Sequence, residues 1–293
     1  MTEPFPASSG DDATFDPTEF DATLTRRSFV RRNPLASAGI TILALYILLA
    51  VFGPSFVADP LSTDPASAFQ SPSADHWFGT DQFGRDVFAR AVHSARLDLT
   101  IGVTVALAAM VIGSLIGLIA GYWGGWVDEV IMRITDVVLA FPGFVLALIL
   151  VAVIGNSIPN VAVAVTVAYI PYFVRLTRAE VLSQREMEYV DGARLAGNPP
   201  WRTALRHVLP NSLESSLVQA TLVAGWSILT VAGLAFLGVG IRPPTAEWGV
   251  MVAEGAPQII TGQWWTSLFP GGMIVLAVMA FHFIGDEFGG EGY

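Results

Sequence analysis

No Asp, Glu, Lys or Arg occurs in residues 33–58, 99–127, 137–174, 215–241 or 255–285. A helix needs about 20 predominantly apolar residues to cross the hydrocarbon core of a bilayer. Each of these charge-free stretches is long enough for one pass, and the third is long enough for two. Only 14% of the chain is charged, against roughly 25% in a soluble domain. The sequence therefore predicts an all-α, polytopic membrane protein of six transmembrane helices.

The residue types present narrow the chemistry. All 15 basic residues are arginine and none is lysine. A Walker A phosphate loop and a Schiff base each require a lysine, so the usual P-loop ATPase and a retinal pump are excluded. The chain has no cysteine, which removes disulfides, thiolate metal sites and a cysteine nucleophile. Its net charge is −10. Acidic, lysine-free polar segments fit a halophilic host; a GC-rich genome favouring arginine codons, with an acidic tail, is the alternative.

Residues 1–25 form an acidic tail with too little apolar surface to pack, and disorder is expected there. Arg26, Arg27, Arg31 and Arg32 precede the first span, so the positive-inside rule sets both termini in the cytoplasm. Residues 26–57 carry the N-terminal segment and first span, and 58–97 form a polar external segment. A core of five spans follows over 98–285, with a cytoplasmic end at 286–293. Within this core the spans are read as 98–122, a hairpin over 134–174 turning at Gly155–Asn160, then 213–240 and 265–285. Residues 241–264 re-enter from outside, where Trp248, Trp264 and Trp265 are expected at the membrane interface. By this count eleven arginines lie inside and four outside.

Gly113, Gly117, Gly121 and Gly125 recur at a spacing of four and line one helix face with small residues. That seam serves either another helix of this chain or a second subunit. Arg133 and Asp136 are spaced to pair on one helix. The central parts of the spans contain no ionisable group of the kind that a proton-driven carrier uses. His282, near the inner end of the last span, is expected to be a packed or interfacial histidine rather than a proton relay, and His76, His93 and His207 lack metal-ligand spacing. No catalytic constellation is present. Any uphill transport must then draw its energy from another subunit.

The cytoplasmic loop, 178–212, alternates Arg178, Arg185, Arg194, Arg202 and Arg206 with Glu180, Glu186, Glu188 and Asp191. Residues 179–196 are good helix formers, and Gly197 is suited to end a helix. Asn198, Pro199 and Pro200 suit the start of a second helix, expected over 199–207 and stopping before Pro210. A rigid helix–turn–helix of this kind suits docking into a groove on a partner.

This loop resembles the EAA loop of ABC importer permeases, whose pattern is Glu-Ala-Ala, three residues, Gly, nine residues, Ile, one residue, Leu-Pro. Asp191, Gly192 and Ala193 stand at the Glu-Ala-Ala positions, Gly197 at the glycine, His207 at the isoleucine, and Leu209 and Pro210 at the closing pair. The segments 76–87, 124–133, 140–142 and 236–249 are similar to those of the C-type permeases of dipeptide, oligopeptide and nickel importers. The resemblance covers about residues 25–287. It implies a six-helix type I ABC importer permease that contains no catalytic or cofactor site. It further implies two ATPase subunits that bind ATP and Mg, a sister permease forming a heterodimer, and an extracellular solute-binding protein. The loop then couples the ATPases to the spans. Gly84, Arg85 and Asp86 either shape an external turn closed by a salt bridge or help receive the binding protein. The substrate is expected to be di- or oligopeptides, with nickel or another small solute as the alternative. A self-sufficient secondary transporter or channel is the rival of another class.

Overall fold

A computed structural model describes residues 33–290. The acidic tail at 1–25, the arginines at 26–32 and the last three residues lie outside them. The regular structure of the described residues is helical, with no strand among them beyond an isolated bridge between Thr80 and Asp86.

Five helices are long and apolar enough to span a membrane. They are α1 (Pro34–Phe52), α2 (Val87–Trp123), α5 (Ile158–Gln184), α7 (Glu214–Phe236) and α9 (Trp265–Gly290). A sixth candidate is a bent pair, α3 (Gly125–Leu139) and α4 (Gly143–Ile154), which meet at 87°. The bend falls at Ala140-Phe141-Pro142. Proline cannot donate to the helical ladder and steers the residue before it away from helical geometry. The hairpin predicted over 134–174 turns at Gly155 as expected, but its first arm is this broken element rather than one straight helix.

The helix that carries the second span begins well before residue 98. Asp86 caps α2, its carboxylate accepting from the Ala89 N–H at 2.8 Å, so residues 87–97 of the polar segment are helical. At its other end, α9 continues helically to Gly290.

The α2–α5 pair forms the spine of the bundle, flanked by α7, α9 and α1. Gly113, Gly117 and Gly121 lie in this seam. A Cβ at Gly113 would stand 2.8 Å from the Ile170 carbonyl, and one at Gly117 would stand 2.7 Å from that of Val174. The seam thus lies within the chain. Gly125 does not belong to it: it follows the helix break at Gly124, has φ +56°, and faces open space. At the closed end of the seam, the buried Thr177 hydroxyl bonds those of Ser114 and Ser216, each at 2.9 Å, tying α2, α5 and α7 together.

Candidate coupling site and family

Beyond Gln184 the chain turns through 185–187 and starts a short helix, α6 (Glu188–Leu195). The single helix expected over 179–196 is therefore two. The break lets α6 fold back so that Val190 packs with Leu118 and Val181 at the ends of the spine helices. Local propensity favours continuing the helix, and burial of Val190 overrides it.

Gly197 ends α6. It takes φ +81°, its N–H bonds the Arg194 carbonyl at 3.0 Å, and the Asn198 N–H reaches the Ala193 carbonyl at 3.3 Å. This pair of bonds is the Schellman motif, whose left-handed position favours glycine. The Asn198 side-chain amide adds a bond of 3.1 Å to the same Ala193 carbonyl. The corner is thereby fixed by three bonds across the six residues 193–198.

Helical structure resumes at Pro200 and runs unbroken through Pro200–Thr203, a π-helical turn at Ala204–Val208, and Leu209–Asn211. The expected stop before Pro210 is not observed. A proline ring collides with the carbonyl four residues back, and the wide π turn accommodates it. The His207 carbonyl accepts from the Asn211 amide at 2.6 Å. The His207 ring is half-buried, as is Leu209.

The loop has two faces. Val190, Ala204 and Val208 are buried against Leu118 and Val181, with Tyr122 and Leu209 beside them. The opposite face presents Leu195 (90% exposed), Trp201 and Leu205. Asp191 and Gly192 are exposed on α6, and Ala193 is turned inward. Asp191 pairs with Arg194 at 2.9 Å in a mostly solvated contact. Further ties run from this end of α5. Arg185 donates to the Gly121 carbonyl at 2.8 Å, Arg178 grips the Asp128 carboxylate with two nitrogens, and Arg175 pairs with Asp136 at 2.5 Å. Asp136 is therefore joined to α5, not to Arg133 on its own helix.

The far end of the bundle holds a buried charge cluster. Arg85 pairs with Asp81 at 2.5 Å and with Glu254 at 3.0 Å, and Arg90 pairs with Glu254 at 3.0 Å. Both arginine side chains are almost wholly buried, so Arg85 faces into the fold. Asp86 holds the helix start and His76, the latter at 2.7 Å. Gly84 has φ +69°, and a Cβ there would fall 1.8 Å from the Asp64 carbonyl oxygen.

Helix α8 (Trp248–Gly255) inserts beside this cluster. Its first three N–H groups are taken by two buried carboxylates: Asp98 accepts from Trp248, and Glu247 accepts from Gly249 and Val250. Burial raises the Glu247 carboxyl above its ordinary value, against the pull of those N–H groups. Trp248 is fully buried, and its indole donates to the Ala91 carbonyl. Trp265 is buried and bonds the Thr80 carbonyl. Neither is an interfacial residue; of the three tryptophans expected at the interface, only Trp264 is exposed. Nothing in the local sequence around Arg90, Asp98, Glu247 and Glu254 marks them as a buried cluster, because their partners come from distant elements. The available signal was Asp86 ahead of the apolar Val87-Phe88, a helix start. Among the described residues no group of His, Asp or Glu is arranged to hold a metal.

Comparison with known proteins bears on the whole chain. Residues 113–287 match the family described as binding-protein-dependent transport system inner membrane component, and residues 24–72 match the N-terminal TM domain of oligopeptide transport permease C. The chain is 44% identical over 258 residues to the dipeptide transport system permease protein DppC of Alkalihalophilus pseudofirmus, covering 88% of this chain and 84% of that protein. It is 35% identical over 287 residues to the oligopeptide transport system permease protein OppC of Bacillus subtilis, covering 98% and 94%. It is also 39% identical over 267 residues to the glutathione transport system permease protein GsiD of Pectobacterium atrosepticum, covering 89% and 86%. A family model spans more than half of the chain, and these relatives match most of its length. The chain accordingly belongs to the binding-protein-dependent transport system inner membrane components, as a multi-pass permease subunit of an ABC transporter.

Proposed function

We propose that this chain is the membrane-spanning subunit of an ATP-driven importer of di- and oligopeptides, and that residues 188–211 couple separate ATPase subunits to its helices. The carrying observation is the two-faced loop. Its inner face packs against the ends of α2 and α5, and its outer face offers Leu195, Trp201 and Leu205 around a rigid glycine corner. A push on the outer face would be transmitted to the spine because the corner does not yield. Peptide as substrate is supported by the relatives' names, dipeptide and oligopeptide permeases.

In this scheme two ATPase subunits bind ATP and Mg, a sister permease completes the membrane channel as a heterodimer, and an extracellular binding protein delivers the peptide. The chain contributes no catalytic residue. It contributes docking energy that differs between two states, and only such a difference can shift a conformational equilibrium. Asp191, exposed on α6, is a charged contact available to the ATPase, and the loop lies on the cytoplasmic side.

The test is Gly197→Val in the reconstituted complex. A β-branched residue at φ +81° costs about 1–3 kcal/mol in backbone strain without filling any occupied space, since nothing lies within 4 Å of a Cβ there. Peptide-stimulated ATPase activity and uptake should fall while the complex still assembles. Full activity in a normally assembled variant would refute the coupling role.

A further inference from the structure

The spans do not present the same chemistry on every side. The outward faces of α1 and α2 carry Leu45, Ile47, Leu48, Leu107, Val111 and Leu115, all exposed, as lipid contact requires. One face formed by α5, α7 and α9 is different. Tyr172 and Tyr169 on α5 lie with ring centroids 6.0 Å apart. The Tyr169 hydroxyl meets that of Thr230 on α7 at 3.0 Å. Thr230 in turn donates to the Trp226 carbonyl one turn back, and the Trp226 indole donates to Nε2 of His282 on α9 at 2.7 Å. Five polar or aromatic side chains thus form one contiguous stripe across three helices.

Two features set this stripe apart from an interfacial belt. Trp226 lies midway along α7, whereas belt residues cluster at span ends. Two of the rings are also left open: Trp226 is 54% exposed and Tyr172 is 45% exposed. The Tyr172 hydroxyl has no hydrogen-bond partner among the described residues. A polar indole at the depth of Trp226 is costly against hydrocarbon, and polar groups within spans face a bundle interior or a water-filled cavity.

We infer that Tyr172, Tyr169, Thr230, Trp226 and His282 line the translocation path and contact the backbone of the passing peptide. The inference rests on the peptide-permease function proposed above. The stripe carries no acidic or arginine side chain. Nδ1 of His282 lies 2.9 Å from the Val278 carbonyl and Nε2 accepts from Trp226, an arrangement that fits the neutral ring. Neutral hydroxyls suit the amide groups common to all peptides. The exposed faces of Trp226 and Tyr172 suit side chains of varied size. A charged wall would select by side-chain charge; this wall would not.

The absence of cysteine from the chain makes the test direct. Thr230→Cys and Tyr172→Cys are made singly, in a complex whose other subunits are also cysteine-free, and reconstituted with ATPases, sister permease and binding protein. A membrane-impermeant methanethiosulfonate reagent is applied with and without ATP and vanadate, and with and without a transported dipeptide. Labelling of both positions in at least one nucleotide state, slowed several-fold by the dipeptide, is the result expected. Failure of both to label in every state would mean that lipid or the sister subunit covers this face, and would overturn the assignment. Labelling that dipeptide does not slow, in a complex that transports it, would overturn it equally. An unsubstituted complex that takes up no peptide would instead sink the functional proposal itself.

Discussion

Gly192 and Gly197 lie five residues apart in the loop and answer to different constraints. Gly197 holds a left-handed turn in open space, so its role is conformational. Asparagine tolerates that region and valine does not; Gly197→Asn should keep most of the uptake that Gly197→Val loses. Gly192 has helical geometry with nothing within 4 Å of a Cβ. Gly192→Ala restores the alanine of the family pattern and should stabilise α6 by about 0.5–1 kcal/mol. The readout is a higher melting temperature in detergent with uptake unchanged. The spacing of the loop was readable from sequence because glycine and proline state their backbone demands locally. Arg85 was not readable in the same way. Its neighbours suggest a turn, but the partner that buries it, Glu254, comes from far along the chain. Arg85→Ala removes the closest charged partner of Asp81 and half of the Glu254 pairing inside the fold. Losing one member of a buried ion pair costs about 3–5 kcal/mol, and purified yield and melting temperature should both drop.

The helices themselves were largely visible as charge-free runs, and their ends were not. Residues 87–97 carry Arg90 and Arg96 and fall outside the charge-free run, yet they are the first turns of α2, where Arg90 has a buried acidic partner in Glu254. Trp248 read as a membrane-interface residue because tryptophan is common there. It is instead the buried core of α8, stacked edge-on against Tyr46 with centroids 5.6 Å apart. Helix α6 separates from α5 for a tertiary reason, the burial of Val190, which no window of residues 179–196 contains. The small-residue stripe was legible up to its partner, which is α5 within this chain. Gly113→Val would press a branched side chain onto the Phe173 Cβ and the Ile170 carbonyl. Overpacking of this kind costs about 1–3 kcal/mol, whereas Gly125→Ala, outside the seam, should cost no more than its backbone strain. A melting series of the two separates seam from corner.

The bundle as a whole has a stiff spine with an open, two-faced loop at one end and a buried charge cluster at the other. It has no lysine for a P-loop of the usual type, and in the scheme proposed above the work enters from separate ATPase subunits. The most direct check is a proximity measurement. Leu195→Cys places a thiol on the most exposed part of the loop, and Trp77→Cys places one on the opposite end of the bundle. In the assembled, otherwise cysteine-free importer, a bifunctional thiol–amine reagent should join Leu195→Cys to an ATPase subunit, and Trp77→Cys should give no such product. Cross-linking of the ATPase to Trp77→Cys but not to Leu195→Cys, in a complex that still transports peptide, would contradict the account.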